Sequence, residues 1–387
     1  MDNVVRGHCD SRFDAVGSAL ADNIASGEEL GAAIVVDVDG ETVLDIWGGH
    51  RDAARTMEWE RDTIVNVWSC TKMVTNLAAM MLVDRGLLEL SAPVAKYWPE
   101  FAANGKQDIE VRHVLAHTSG VSGWNTPFQT TDMYDRERST SALAEQAPWW
   151  APGTASGYHA HNQGHLVGEI VRRVTGRTLT EFVRDEIARP LGADVQIGAA
   201  AQDAGRIAEI VPPPPLDMPL HLLPEDSPVR LTFTGPTPNA EAANTPAWRS
   251  AELGALNGHA NARSLARVLS AISRGGSVGG VRLLSPDTVD LIFEEQAHGT
   301  DLVLMTDVKW GIGFGLATRE VLPYTPDEKI CFWGGWGGSL VTMNLDRRTT
   351  VSYVMNKMGP GLLGSDRTTQ YGELIYSALG RSPSQQT

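Results

Sequence analysis

The stretch Val67-Trp68-Ser69-Cys70-Thr71-Lys72-Met73 places a serine three residues before a lysine, at the start of an apolar-periodic segment. Apolar side chains recur from there at helical spacing, at Met73, Leu77, Met80 and Met81. Gly86 follows as a C-terminal stop signal. Because residues three apart share one face of a helix, we expect the Ser69 hydroxyl and the Lys72 ammonium group to meet.

Such a Ser-Lys pair has a chemical use. A serine hydroxyl is a weak nucleophile until a neighbouring base takes its proton, and a lysine serves as that base when burial lowers its pKa. The unpaired N–H groups at a helix start also stabilise a developing oxyanion. The alternative is an N-cap serine beside a surface lysine, and the motif alone favours that alternative.

The composition is that of an ordinary globular protein. The chain has 387 residues, of which 42% are hydrophobic and 20% charged, enough for one large or two ordinary domains. A net charge of −15 disfavours binding to nucleic acid or to an anionic membrane surface, since both need clustered cations. No stretch approaches the roughly 18 consecutive apolar residues of a membrane span, so no membrane association is expected.

The expected location is the cytoplasm, because residues 1–8 lack the apolar core of a signal peptide. Cys9, Cys70 and Cys331 are an odd number of cysteines at wide spacing. This pattern indicates free buried thiols rather than a disulfide framework or a zinc site. No cofactor is expected.

Helical and strand patterns occur in blocks along the chain. Asp39-Gly40, between two β-branched runs, is a strong two-residue hairpin signal. The patterns predict helices over 11–27, 262–274 and 366–379, and strands over 32–38, 41–47, 310–318, 339–344 and 350–356. Residues 108–200 are predicted to be mostly helical. Residues 211–246 contain ten prolines and are predicted to be irregular.

Strand patterns at both ends and helical patterns in the middle predict two domains. Residues 1–100 and 255–387 are expected to form a discontinuous sheet domain, and residues 101–254 a mainly helical domain that includes the proline-rich segment. Pro93, Pro99 and the polar residues 104–107 mark the boundary. A cleft between two such domains is the expected place for a site.

Two further motifs carry candidate chemistry. Tyr158, in Gly157-Tyr158-His159-Ala160-His161-Asn162, is a candidate proton relay beside a serine and a lysine, and its alternative is a half-buried structural tyrosine. Trp333-Gly334-Gly335-Trp336-Gly337-Gly338-Ser339 has four glycines that let the backbone approach a ligand. Its alternative is a tight turn.

Together these motifs resemble the serine β-lactamase-related superfamily, and most closely its family VIII carboxylesterases, which share a fold with class C β-lactamases and D,D-peptidases. The resemblance rests on four motifs in the same order over about residues 15–380: Ser69-Cys70-Thr71-Lys72, His117-Thr118-Ser119-Gly120, Pro152-Gly153 with Tyr158, and Trp333-Gly334-Gly335. It implies a two-domain β-lactamase-like α/β (α+β) fold, with a mainly antiparallel sheet flanked by helices and an inserted helical domain.

The resemblance also implies residue roles. Ser69 is the acyl-forming nucleophile, Lys72 and Tyr158 form the base and acid pair, and which of the two is the base stays open. The backbone amides of Ser69 and Trp336 form the oxyanion hole, next to Trp333, Gly334 and Gly335. Tryptophans close to these motifs in sequence are expected to supply an aromatic pocket, with some of them in the core: Trp124, Trp149, Trp150, Trp333 and Trp336.

Two departures from the family pattern bear on the substrate. Penicillin-recognising members have Tyr-x-Asn, where this chain has Ala160 as the third residue. They usually have Lys-Thr-Gly, where this chain has Trp333-Gly334-Gly335. The missing amide and ammonium groups normally hold the β-lactam amide and carboxylate, so a small neutral ester is the better expectation.

Three other patterns were weighed as sites. Gly275-Gly276-Ser277-Val278-Gly279 fits Gly-x-Ser-x-Gly, but a helical run precedes it, so it is interpreted as a turn. The histidines at 113, 117, 159, 161 and 165 lack a His-Glu-x-x-His arrangement and are interpreted as structural, so no metal is expected. Cys70 lies about 100° round the helix from Ser69, so its thiol is expected to point away from the site.

The sequence thus predicts a cytoplasmic serine carboxylesterase whose partner is a small-molecule ester. Its alternatives are a β-lactamase or D,D-peptidase, an acyltransferase on the same fold, and a non-catalytic relative that binds ligand. The natural ester and the oligomeric state are left open.

Overall fold

A computed structural model describes residues 4–214 and 219–380 of the chain. These residues form fourteen strands: β1 (Val5–Cys9), β2 (Gly31–Val38), β3 (Glu41–Gly49), β4 (Val65–Asn66), β5 (Val195–Ile197), β6 (Gly258–Ala260), β7 (Ser277–Val278), β8 (Val281–Arg282), β9 (Ala297–Thr300), β10 (Asp307–Trp310), β11 (Gly315–Leu316), β12 (Ile330–Gly334), β13 (Leu340–Asn344) and β14 (Thr349–Met355).

The same residues form twelve α-helices. They are α1 (Asp14–Ser26), α2 (Thr71–Asp84), α3 (Val111–Leu115), α4 (Arg136–Glu145), α5 (Gln163–Thr175), α6 (Leu179–Phe182), α7 (Arg189–Leu191), α8 (Pro228–Thr234), α9 (Pro246–Ser250), α10 (Ala262–Ser273), α11 (Pro286–Ile292) and α12 (Asp366–Leu379). A π-helical turn, Val183–Ala188, joins α6 to α7.

Nine strands form one antiparallel sheet in the order β1-β3-β2-β14-β13-β12-β11-β10-β9. All of its strands come from the two ends of the described chain, as the sequence pattern indicated. β4, β6 and β5 form a small second sheet, and β7 and β8 a hairpin.

Helices cover both faces of the large sheet. Ser273 of α10 contacts Thr350 of β14 through their hydroxyl groups, whereas Tyr371 of α12 packs edge-on against Tyr353 of the same strand. Because side chains alternate along a strand, residues 350 and 353 point to opposite faces. The sheet is therefore sandwiched between α10 on one side and α12 on the other, which buries both faces.

Several predicted elements are confirmed. The hairpin at Asp39-Gly40 joins β2 to β3, with positive φ angles of 51° and 90° at its two central residues. The helices predicted over 11–27, 262–274 and 366–379 are α1, α10 and α12, and the strands predicted over 339–344 and 350–356 are β13 and β14.

The single strand predicted over 310–318 is wrong, because the chain turns back on itself there. β10 and β11 are separate antiparallel strands, and the turn between them is closed by the Gly311 N–H donating to the Phe314 carbonyl at 2.9 Å. Gly313 has a φ of 83°, which an extended strand does not contain. Residues 330–334 form β12, a strand that the apolar patterns did not predict and that includes the first two residues of the Trp333-Gly334-Gly335 motif.

The proline-rich segment is partly regular in its described residues. It contains α8 and the start of α9, and residues 215–218 lie outside the described part of the chain. The division into domains at residues 100 and 254 stays a prediction.

Candidate active site

The α2 helix is buried on all sides rather than on one face. Every residue from Thr71 to Leu82 is buried, so the apolar spacing read from the sequence marks only part of its contact surface. The chain enters the helix through Trp68, whose φ of 49° is unusual for a bulky residue. Thr71 fixes this entry, since its hydroxyl donates to the Trp68 carbonyl and accepts from the Gly258 N–H of β6.

Ser69, in the turn that starts α2, is contacted by both residues expected to work with it. The Lys72 Nζ lies 3.0 Å from the Ser69 Oγ, and the Tyr158 hydroxyl donates to the same oxygen at 2.7 Å. Tyr158 is 89 residues away in sequence. The serine hydroxyl is thus placed between an amine and a phenol, each of which can take or give a proton.

The Lys72 side chain is fully enclosed. Its amine donates to the backbone carbonyls of Ala160 at 2.8 Å and Ala255 at 3.0 Å. No carboxylate pairs with it among the described residues. Burial therefore holds the pKa of Lys72 well below its usual value, which favours the neutral amine needed of a base.

The Tyr158 phenol is held at its ring and at its oxygen. The indole N–H of Trp333 donates to the Tyr158 hydroxyl oxygen at 3.0 Å, and the Lys72 Nζ lies 4.8 Å from the ring centre. Burial raises the pKa of Tyr158 above its ordinary value, more than its hydrogen bonds to Ser69 and Trp333 lower it. The phenol therefore keeps its proton at neutral pH.

Two residues that line the same cavity, Ser69 and Trp336, have backbone N–H groups without an acceptor in the described part of the chain. Neither the Ser69 nor the Trp336 N–H donates a hydrogen bond within residues 4–214 and 219–380. The loop carrying Trp336 lies against the turn before α2: a Cβ on Gly335 would sit 2.4 Å from the Val67 carbonyl oxygen. Only a glycine permits this approach.

Ser69 opens into a narrow cavity of about 40 Å³. Its walls are Trp68, Tyr158, Ala160, His161, Phe233, Pro238, Leu256, Trp336 and Leu362. A larger cavity of about 330 Å³ shares three of these walls, Phe233, Pro238 and Trp336. It adds residues of the proline-rich segment, among them Pro212, Leu220 and Glu241.

The structure brings most of the predicted site residues together. Trp336 lines both cavities, Trp333 contacts Tyr158, and Gly334 and Gly335 carry the chain between them. Trp124 and Trp150 do not line either cavity. Trp124 is fully buried and stacks on Phe128, and Trp150 donates to the Ala155 carbonyl. Trp149 donates to the Asn125 side chain instead.

The competing motifs have structural roles. Ser277 lies in the β7–β8 hairpin and lines neither cavity at Ser69. The Cys70 thiol is buried against the Trp333 carbonyl, and burial raises its pKa to about 12. His117 accepts from the His159 N–H, and His165 contacts the Met133 carbonyl. The described residues contain no group of three or more His, Cys, Asp or Glu that could hold a metal ion.

Sequence reasoning missed several residues at the site. The Ala255 carbonyl and the apolar walls at Phe233, Leu256 and Leu362 belong to no motif. Ala160 lies in the Tyr158 motif, but only its side chain was considered there and not the carbonyl that accepts from Lys72. A backbone carbonyl exists at every position, so no residue pattern marks the ones that hold a lysine.

Comparisons with known proteins agree on one family. The β-lactamase family model matches residues 17–374. The esterase/β-lactamase LipL of Mycobacterium tuberculosis (strain ATCC 25618 / H37Rv) is 32% identical over 392 residues, covering 98% of this chain and 89% of LipL.

Two solved structures are similar over nearly the whole chain. A family VIII carboxylesterase superimposes with a TM-score of 0.90 at 36% identity, covering 97% of this chain and 99% of that one. A penicillin-binding protein homologue from Caulobacter crescentus gives a TM-score of 0.90 at 35% identity, with the same coverage of 97% and 99%.

Proposed function

Because the chain belongs to the β-lactamase family and has its fold of antiparallel sheet and helices, we propose that it is a serine carboxylesterase acting on small neutral esters. The observation that carries this proposal is the contact of the Ser69 Oγ with the Lys72 amine at 3.0 Å and the Tyr158 hydroxyl at 2.7 Å. The similarity to LipL, which is named an esterase/β-lactamase, and to a family VIII carboxylesterase supports the proposal. The contacts among Ser69, Lys72 and Tyr158 also argue against the alternative of a non-catalytic, ligand-binding protein.

Acylation begins at Ser69. Two N–H bonds of the neutral Lys72 amine are used on the Ala160 and Ala255 carbonyls, which leaves its lone pair for the Ser69 proton. As Lys72 takes that proton, the Ser69 Oγ bonds to the ester carbonyl carbon. The backbone N–H groups of Ser69 and Trp336 stabilise the resulting oxyanion.

The intermediate then collapses to the acyl-enzyme. The bond between the carbonyl carbon and the alcohol oxygen breaks, and that oxygen takes the Tyr158 proton. The proton on Lys72 passes to Tyr158, so both groups are neutral again. In deacylation water takes the place of the alcohol: as its oxygen bonds to the acyl carbon, its proton passes to Tyr158 and the Tyr158 proton passes to Lys72. The bond between that carbon and the Ser69 Oγ then breaks, Oγ takes the proton from Lys72, and the carboxylic acid leaves.

The cavity walls favour an ester over a penicillin. No lysine or arginine lines either cavity among the described residues, and Glu241 is the only carboxylate there. Arg263 cannot serve as a substitute carboxylate partner, because it forms an ion pair with Asp45 at 2.6 Å and lines neither cavity. The anionic group of a penicillin would therefore be unpaired.

No helix of the described chain is long and apolar enough to cross a membrane. The cytoplasmic location stays a prediction. It is supported by the cysteines, since Cys9, Cys70 and Cys331 are all free.

The test of the proposal is the acyl-enzyme itself. When the reaction with p-nitrophenyl butyrate is quenched rapidly, mass spectrometry should find a butyryl group on the peptide that carries Ser69. Ser69→Ala should lose both this adduct and turnover. Ser277→Ala is the matched control, because its serine lies in a hairpin outside the cavities. Turnover in Ser69→Ala, or an adduct on Ser277, would refute the assignment.

A further inference from the structure

Asp301 is a buried carboxylate that the catalytic scheme does not use. It is fully buried, and no cation pairs with it among the described residues. Its Oδ1 accepts the backbone N–H groups of Tyr158, Val303 and Leu304 at 2.9, 2.9 and 3.0 Å. Its Oδ2 accepts the indole N–H of Trp310 at 3.2 Å. Four N–H donors therefore fix the position of this buried carboxyl group.

These contacts converge on the Tyr158 ring. The carboxylate holds the Tyr158 backbone directly, across 143 residues of sequence. Through its indole bond it also orients Trp310, which stacks on the Tyr158 ring at 6.1 Å with the planes 15° apart. Trp310 packs in turn on Trp333 at 4.6 Å, and Trp333 donates to the Tyr158 hydroxyl. Backbone, ring face and oxygen of Tyr158 are thus fixed by one chain of contacts.

A second hydrogen bond joins the segment before Tyr158 to the segment after Asp301. The Leu302 N–H donates to the Ser156 carbonyl at 2.8 Å, so residues 156–158 and 301–304 are tied at two points. The segment that carries Tyr158, the proposed acid, is therefore held to residues 301–304, which are distant in sequence.

We propose that Asp301 is a positioning residue that keeps Tyr158 in place to protonate the leaving alcohol. The proposal rests on the proposed esterase function. Asp301 touches no atom of the substrate and acts only through Tyr158 and Trp310.

The charges around Tyr158 agree with a proton donor. Lys72, Cys70, His117 and Asp301 are the titratable groups that act on or face it. Burial holds the pKa of His117 well below its usual value and raises that of Cys70 to about 12, so both are neutral at pH 7. The Asp301 charge adds to burial in raising the pKa of Tyr158. A negative charge at this place therefore favours the protonated phenol.

The leaving group separates a positioning role from a structural one. p-Nitrophenolate departs without a proton, whereas ethoxide needs an acid. Ethyl butyrate and p-nitrophenyl butyrate form the same butyryl-enzyme. The ratio of kcat/KM for ethyl butyrate to kcat/KM for p-nitrophenyl butyrate therefore reports proton donation during acylation. A general loss of folded protein lowers both values and leaves the ratio unchanged.

Asp301→Asn is the test variant. Its side-chain oxygen still accepts the three backbone N–H groups, but its amide presents a second donor to the Trp310 indole and carries no charge. We expect kcat/KM for ethyl butyrate to fall about tenfold more than for p-nitrophenyl butyrate. In a Tyr158→Phe background the same substitution should leave the ratio unchanged, since the group it positions is gone.

Asp52→Asn is the matched control. Asp52 is also buried and accepts the backbone N–H groups of Thr56 and Met57, but it contacts no site residue. Its substitution should not change the ratio. If Asp301→Asn does not fold, Trp310→Phe takes its place, because it keeps an aromatic ring on Tyr158 and removes the indole donor. It should also lower kcat/KM for ethyl butyrate more than kcat/KM for p-nitrophenyl butyrate.

An unchanged ratio in the folded Asp301 variant, or an equal change in Asp52→Asn, would overturn the proposal. The adduct on Ser69 in the wild-type enzyme tests the esterase function separately. A failure of that function is therefore distinguishable from a failure of the positioning role.

Discussion

The proposed role of Lys72 as a base depends on the burial of its amine. Its pKa is held well below 10.5 because its surroundings disfavour the charged form. Below that lowered pKa Lys72 is protonated and cannot take the Ser69 proton. The value of kcat/KM for p-nitrophenyl butyrate should therefore rise with pH and reach its plateau well below pH 10.5. An acid limb that extends to pH 10.5 would contradict this interpretation.

Lys72→Arg and Tyr158→Phe test the same pair by substitution. A guanidinium keeps the positive charge but does not deprotonate, so Lys72→Arg should lower kcat/KM by about 10²–10⁴. Tyr158→Phe should cause a loss of similar order with an alkyl ester. The double variant should be little worse than either single one, because groups of one proton-transfer unit are not additive. Additive losses in steady-state kinetics would show that the two residues act independently.

Among the elements, the loop between β12 and β13 carries the Trp336 N–H, the second donor of the proposed oxyanion hole. In Gly335→Ala the new Cβ would lie 2.4 Å from the Val67 carbonyl oxygen, so the loop must move away from α2. Loss of the Trp336 N–H should lower kcat by about 10²–10³. Gly334→Ala is the control, because its nearest atom, the Leu363 carbonyl carbon, is 3.4 Å away. Equal kinetics for the two variants would remove the loop from the mechanism.

In the molecule as a whole, the lining of the two cavities that share Phe233, Pro238 and Trp336 bears on the proposed preference for neutral esters. Their walls come from the turn before α2, from Tyr158 and from the proline-rich segment, and among residues 4–214 and 219–380 they include Glu241 but no lysine or arginine. An ester that ends in a carboxylate should therefore have a lower kcat/KM than the neutral ester of equal length. A missing hydrogen bond to a charged group costs about 1.5–3 kcal/mol, or one to two powers of ten.

Steady-state kinetics on such a matched pair, and on benzylpenicillin, measure this preference. Glu241→Gln should narrow the difference in kcat/KM between the two esters, because it removes the Glu241 carboxylate from the larger cavity. If benzylpenicillin and the neutral ester had equal kcat/KM values, the preference for neutral esters would be wrong.

Features that depend on residues close together in the chain could be predicted from the sequence. The approach of Ser69 to Lys72 follows from a spacing of three residues at a helix start, and the β2–β3 hairpin follows from Asp39-Gly40. The α12 helix was predicted with its observed bounds, since its capping and periodicity are local. The order of four motifs also sufficed to indicate the family.

The groups from distant parts of the chain that surround Ser69 and Lys72 could not be predicted in this way. Trp333 reaches Tyr158 across 175 residues, and Asp301 reaches it across 143. Trp124, equally near a motif in sequence, lies in the core instead. The physical reason is that local spacing fixes helix and turn geometry, whereas long-range packing depends on the shapes of all buried side chains at once. Backbone carbonyls such as that of Ala160 become functional only through such packing.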